Sequence, residues 1–196
     1  MNFDNKKEFV MRFGTTPILF LLLFLNIVSP ISSANSNTTF KELKNLQALA
    51  EKSKQLNLPI MLMFGAEWCE YCELLNEQVL TPIAISGLYE EKVVLMRHVG
   101  VDEAKPIADW YGKPLIKEKW AYELDADLTP TVVFFDGFAR EVAPRIVGIS
   151  EISLYASLIH QNLNIAYKNM GLTKQIPATP ELLEQKSKIQ TQKISE

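Results

Sequence analysis

The chain has little of what several functional classes require. Two cysteines among 196 residues are too few for a disulfide-stapled scaffold, so a hydrophobic core must hold the fold. A zinc site needs about four ligands, and outside the cysteines the only histidines are His98 and His160. The net charge of −3 and pI near 5.5 give no basic excess, which argues against nucleic acid or an anionic membrane surface as partner. No internal repeat is visible. The apolar run "PILFLLLFLNIV" (Pro17 to Val28) is short of the roughly 20 residues that span a bilayer comfortably.

That run is followed by "SPISSA", with Ser32 and Ala34 at the small-residue positions that signal peptidase requires. Residues 1–34 are therefore expected to be a signal peptide, cleaved after Ala34. Starting at Met11 gives a more conventional signal than starting at Met1, so Met11 is a candidate initiator. The alternative is an uncleaved membrane anchor. No cysteine lies near the cleavage site, which excludes a lipoprotein. Without residues 1–34 the net charge is −4. Export to the periplasm or beyond would place both cysteines where disulfides persist.

Along the rest of the chain, Thr39 with Glu42 reads as a capping box. Phe40, Leu43, Leu46, Leu49 and Ala50 keep helical spacing after it, until "NLP" at 57–59. "IMLMFG" (Ile60 to Gly65) is a continuous apolar run, expected to be a buried strand. "CELLNEQVL" (Cys72 to Leu80) reads as a helix ending at Thr81-Pro82, with a short helix after it. "KVVLMRHVGVD" (Lys92 to Asp102) is the next strand. An irregular stretch then leads to a helical pattern through "WAYEL" (Trp120 to Leu124). "TVVFFD", the turn "GFAR" and "EVAPRIVG" form a β-hairpin. Ser150 caps an amphipathic last helix. The order implies an α/β domain over 35–171, with a mixed central sheet and helices on both faces. Residues 172–196 read as a polar, mobile tail with helical turns around "PELLEQKSK".

Both cysteines fall in "WCEYC" (Trp68 to Cys72), directly after the first strand and opening a helix. A helix N-terminus offers unpaired N–H groups and the positive end of the dipole, which stabilise a thiolate, the attacking species in disulfide exchange. Cys69 would be the accessible nucleophile and Cys72, one turn further in, the resolving thiol. Other readings compete. For zinc, His98 and His160 lie in a predicted strand and helix far from the pair in sequence. A structural disulfide between residues three apart closes a very small loop and constrains the unfolded chain little. Glu70 between the sulfurs argues against two unpaired core cysteines.

"FGAEWCEYCELL" (Phe64 to Leu75) resembles the active-site segment of the thioredoxin superfamily. "LTPTVVFFDGFAREV" (Leu128 to Val142) resembles its cis-proline loop, following strand and hairpin. The stretch "IADWYGKP…KEKWAYELDADLTPT" is similar to a branch of exported bacterial thioredoxin-like proteins, including those associated with periplasmic sulfur oxidation. The resemblance covers about Leu56 to Leu163. It implies a thioredoxin-like fold, a redox-active Cys69–Cys72 disulfide with no metal or organic cofactor, and a cis Thr129–Pro130 bond packed against Cys69. Pro130, the substrate-loop proline, supplies no N–H, which leaves the Thr129 backbone free to pair with an extended substrate strand. Trp68 and Tyr71 would form an apolar rim for partner peptides, the alternative being ordinary partial burial. Trp110, Tyr111 and Trp120 are expected in the core, the alternative being a substrate-facing loop.

The chain departs from the family's pattern at two places. Glu70-Tyr71 replaces the usual Gly-Pro, and Met63 stands six residues before Cys69, where a buried aspartate is usual. The assistant that deprotonates the buried cysteine is thus absent, with water, Glu67 or no single residue in its place. Glu70 repels a neighbouring thiolate and so favours the disulfide, which makes a better reductant. For a two-electron couple ~1.4 kcal/mol is ~30 mV, so one exposed carboxylate acts modestly. No histidine follows Cys69, unlike the strongly oxidising exported members. The reading is an exported thiol–disulfide oxidoreductase leaning toward reductase. Its partners would be thiol or disulfide proteins, its electrons coming from a membrane-embedded reductant or another thiol protein. The alternative is a thioredoxin-fold binding or chaperone module with accessory cysteines.

Overall fold

A computed structural model of the chain describes residues 40–194. The expected signal peptide, its cleavage site at Ala34 and Thr39 lie outside these residues. The order is α1 (Leu46–Leu56), β1 (Ile60–Gly65), α2 (Glu70–Leu75), a π-helical turn (Asn76–Leu80), α3 (Thr81–Ile85) and β2 (Leu95–Gly100). Then come β3 (Ile107–Ala108), β4 (Pro114–Leu115), α4 (Lys117–Glu123), β5 (Thr131–Phe135), β6 (Glu141–Val147), α5 (Ile152–Asn169) and α6 (Pro180–Ile194). Four strands form one mixed sheet in the order β2-β1-β5-β6, with β1 parallel to β2 and antiparallel to β5. Strands β3 and β4 make a separate two-stranded ladder in the stretch read as irregular.

Every residue of β1 and β5 is buried, which requires side-chain layers on both faces of the sheet. Helix α1 packs on β1, α4 on β2, and α5 along β5 and β6. Pro144 in β6 is exposed and cannot donate to a ladder, consistent with β6 lying at the sheet edge. On the other edge, β2 is covered by residues 41–43: the Leu43 N–H donates to His98 O (2.7 Å) and the His98 N–H to Lys41 O (2.8 Å). An aromatic run extends from the middle of the sheet, Phe64 to Trp120 (5.0 Å), Trp120 to Trp110 (6.4 Å) and Trp110 to Phe135 (5.3 Å between ring centroids). Trp120 is buried as expected and Trp110 half-buried. Tyr111 is exposed at the tip of the Asp109–Lys113 turn, contrary to its expected place in the core.

Three local expectations change. Helix α1 starts at Leu46, not near Phe40, because Asn45 is its N-cap and accepts from the Ala48 N–H at 2.8 Å. Glu42 is engaged elsewhere. The helix after the cysteines also runs past Pro82 instead of stopping. The π-helical turn at 76–80 shifts the hydrogen-bond pattern, the Thr81 N–H reaching Asn76 O, and Pro82 falls in the first turn of the next α segment, where no N–H is needed. Glu151, not Ser150, caps α5 by accepting from the Ser153 N–H.

The chain after α5 packs back against it. Ile176 is buried, Asn164 exchanges hydrogen bonds with its backbone (2.8 and 3.0 Å), and His160 Nδ1 lies 2.6 Å from Pro177 O. His160 is a satisfied core residue. Its Nδ1–H donates to that carbonyl, leaving Nε2 to accept from the Tyr89 hydroxyl at 2.6 Å. Burial holds its pKa below the ordinary histidine value.

Replacing Asn45 with Ala should lower stability by about 1 kcal/mol, read as a shift of the urea midpoint. An unchanged midpoint would contradict the cap.

Candidate active site

The two cysteines are joined in a disulfide where β1 ends, with Cα atoms 5.2 Å apart. The Cys69 N–H donates to Ala66 O (3.1 Å), which closes the turn leaving the strand. Cys69 is then the N-cap of α2, its carbonyl accepting from the Cys72 and Glu73 N–H groups at 2.9 and 3.1 Å. The Cys72 N–H also points at Cys69 Sγ, 3.2 Å away. A thiolate released at Cys69 would therefore meet a backbone donor already in place. Cys69 is 7% exposed and Cys72 4%, so in the oxidised form the outer sulfur is only slightly more accessible than the inner one. Ala66 and Val101 complete the small apolar cluster around them. The Val101 N–H bonds Gly65 O (2.9 Å), and Asp102 accepts from the Glu67 N–H (2.8 Å), fixing the loop to the end of β2.

Pairing of β1 with β5 brings the second motif alongside. Phe64 faces Thr131, so Pro130 lies one step beyond, at the end of the ladder nearest the cysteines. The Thr129–Pro130 bond is cis, as the resemblance implies. Pro130 is buried and its carbonyl accepts from the Gly148 N–H (2.8 Å). Half-buried Thr129 has no hydrogen bond among the described residues, so its backbone groups are open to an extended chain. Trp68 and Tyr71 are 72% and 64% exposed, so neither is core. Leu128, exposed beside Thr129, adds an apolar group that sequence reasoning did not single out. Glu70 is exposed, which limits its influence on the sulfurs through solvent screening. Glu67 is likewise exposed.

The structure brings to the inner side of the disulfide a residue that sequence reasoning set aside. Parallel register pairs Met63 with His98. A Cβ on Gly65 would lie 2.9 Å from His98 Nε2, 2.9 Å from Met63 Sδ and 3.3 Å from Cys72 Sγ, so these atoms border one small space that Gly65 leaves open. On the other side of the ring, His98 Nδ1 lies 2.5 Å from Glu42 Oε2. Glu42 Oε1 accepts from Lys117 Nζ (2.8 Å) and from the Gly100 N–H (3.0 Å). Lys117, fully buried at the start of α4, also donates to Glu103 (2.6 Å). Burial alone would raise the Glu42 carboxyl, but bonds from His98, Lys117 and Gly100 outweigh it and hold the group below its ordinary 4.5. Burial alone would lower Lys117, but Glu103 and Glu42 outweigh it and raise the ammonium above its ordinary 10.5. An ionised carboxylate only accepts, so Nδ1 carries a hydrogen, and in the neutral ring Nε2 holds the lone pair.

A mixed four-stranded sheet with a cysteine pair at the end of its buried strand and a cis-proline loop beside it defines a thioredoxin-type protein. The chain belongs to the thioredoxin-like domain family, whose sequence profile matches residues 46–162. Among solved structures it is similar to oxidized thioredoxin O2 of Arabidopsis thaliana (24% identity over 63% of this chain and 94% of that one, TM-score 0.42). It is also similar to mitochondrial thioredoxin 3 of Saccharomyces cerevisiae in its oxidized form (21%, 62% and 94%, TM-score 0.42). A third relative is a thioredoxin-fold protein of Helicobacter pylori (18%, 80% and 91%, TM-score 0.47). No curated protein matches the sequence. The family's chemistry rests on the redox-active disulfide and needs no cofactor. Among the described residues no group of three or more His, Cys, Asp or Glu is placed to hold a metal ion.

The depressed Glu42 pKa fixes a sign for the acid limb of stability. Its contribution is fully present above the unfolded value, 4.5, and is lost as pH falls through the lower native value. Glu42→Gln should therefore flatten the acid side of a stability–pH curve, measured by urea unfolding. A slope identical to that of the unaltered protein would show that Glu42 is not held in its ionised form.

Proposed function

We propose that this chain is an exported thiol–disulfide oxidoreductase that passes electrons between the Cys69–Cys72 pair and protein partners, working in the reducing direction. The observation that carries the reading is the disulfide itself, seated at the N-terminus of a helix that continues from Glu70 to Ile85 in a thioredoxin-like domain. In the reduced form, Cys69 thiolate attacks a partner disulfide and forms a mixed disulfide. Cys72 then attacks Cys69 Sγ, the pair closes, and the partner leaves as a dithiol. Electrons return from a membrane-embedded reductant or from another thiol protein.

The surrounding groups take their roles from this sequence of steps. Thr129 and Pro130 support the partner's extended backbone, Thr129 through its open hydrogen-bonding groups. Trp68 and Tyr71 pack beside the partner cysteine, where aromatic surface binds peptide at low cost in conformational entropy. Glu70 biases the couple toward the disulfide, modestly because it is exposed. Export is supported by the apolar segment before Ala34 and by the similarity of the Ile107–Thr131 stretch to exported bacterial thioredoxin-like proteins, including those associated with sulfur oxidation. Among the described residues no helix is long and apolar enough to cross a membrane.

Trapping tests the chemistry. Cys72→Ser should strand partners on Cys69, visible as reducible adducts in cell extracts, while Cys69→Ser should trap none. Equal adduct formation by both variants, or none by either, would sink the exchange mechanism and favour a binding module. Export is tested separately by sequencing the N-terminus of the protein recovered from cells. It should begin at Asn35, and an intact N-terminus on membranes would show the anchored alternative instead.

A further inference from the structure

We propose that His98 is the acid–base partner of Cys72. Its Nε2 takes the thiol proton as Cys72 resolves the mixed disulfide, and Glu42 holds the ring in the tautomer that can do so. This rests on the oxidoreductase reading above. Where the family resemblance implies a buried carboxylate, this chain has Met63, which cannot accept a proton. The small space left by Gly65 is bordered by Cys72 Sγ, His98 Nε2 and Met63 Sδ. With Nδ1–H committed to Glu42, Nε2 is the basic nitrogen of the neutral ring, and it borders the same space as the inner sulfur.

The charges around the ring favour this role. Glu42 reaches it from the segment that pairs with β2, while Met63 of β1 and Cys72 of α2 border the space beside Nε2. The Phe40 ring lies 6.3 Å away. Behind Glu42 stand Lys117 at the start of α4 and Glu103 beyond β2. Two carboxylates and one ammonium leave this group one negative charge in excess. A proton on His98 brings it to neutrality, so the positive charge formed during resolution appears where negative charge is in excess.

The step balances as follows. The Cys72 S–H proton passes to His98 Nε2, and the resulting thiolate attacks Cys69 Sγ. The Cys69–Cys72 bond forms as the bond from Cys69 to the partner sulfur breaks. The cysteine pair loses two electrons, the partner disulfide gains them, and the departing partner thiolate is protonated from the imidazolium or from water. In the reverse direction a donor thiolate attacks Cys69, and the imidazolium protonates Cys72 as it leaves. His98 serves as acid and base at one sulfur.

Two measurements test the proposal. The chain has only two histidines, so both ring signals can be followed by NMR in the oxidised and reduced unaltered protein. Reduction places a titrating thiol at the space that Nε2 borders, so under the proposal the His98 midpoint should move by about one pH unit or more, while His160, engaged with Tyr89 and Pro177, should not follow it. A His98 midpoint indifferent to redox state overturns the proposal, and this arm needs no variant. The second measurement follows the reduced protein reacting with 5,5′-dithiobis(2-nitrobenzoate), which releases one coloured thiolate when Cys69 attacks and a second when Cys72 resolves. His98→Gln should slow the second release about tenfold or more near neutral pH and alter its pH profile, leaving the first unchanged. Glu42→Gln should slow the second release less. A second release in His98→Gln with the unaltered rate and pH profile overturns the proposal. Absence of the second release in the unaltered protein would overturn the oxidoreductase reading instead, and this proposal with it.

Discussion

Strand β1 has a hydrogen-bonded partner on each edge and a packed layer on each face, and the chemistry sits where that enclosure stops. Its six residues, Ile60 to Gly65, are all buried, so the strand cannot shift in register without moving apolar side chains out of two layers at once. That rigidity is transmitted to the cysteines through short links: Cys69 N–H to Ala66 O, Val101 N–H to Gly65 O, and the Asp102 carboxylate to the Glu67 N–H. The same strand sets the position of the cis-proline loop through β5 and of His98 through β2. Three segments distant in sequence thus meet at one strand end.

Around that point the protein keeps two different environments. The outer side is open and apolar, with Trp68, Tyr71 and Leu128 exposed near groups suited to an extended peptide. The inner side is polar and partly buried, with the ring of His98 between the space beside Cys72 and a carboxylate tied to a buried lysine. Removing two charges from water is costly, and a buried ion pair contributes little net stability against an apolar substitute. The Glu42–Lys117–Glu103 cluster is better explained by what it orients than by what it adds to folding. It fixes the tautomer of His98 and the path of the segment that covers the edge of β2.

What could be read in advance follows from how local each signal is. An unbroken apolar run bounded by Pro59 and the cysteines marks β1 because a strand covered on both faces needs no alternation. The hairpin from Thr131 to Val147 and the helix opened by the cysteine pair are equally local patterns. Other features depend on tertiary structure. Pro82 reads as a helix stop, but a π-helical turn before it lets the helix pass. Glu42 follows Thr39 at capping-box spacing, yet its partners are His98, 56 residues away, and Lys117, 75 away. His98 is remote from the cysteines in sequence and carries no local sign of their proximity. The parallel register that sets it opposite Met63 has no local signature. Tyr111 is expected in the core with Trp110 and Trp120, whereas the turn around Asp109 carries it into solvent.

The central claim is that the Cys69–Cys72 bond is a working couple and not a structural clasp. The most direct measurement is the equilibrium of the folded protein in buffers of graded thiol and disulfide, with the oxidised fraction read after alkylation. The account predicts a reversible two-electron transition in the folded state. Its midpoint should lie nearer the roughly −270 mV of thioredoxin than the roughly −120 mV of the strongest oxidants of the superfamily. A disulfide that yields to reductant only after the domain unfolds would contradict it.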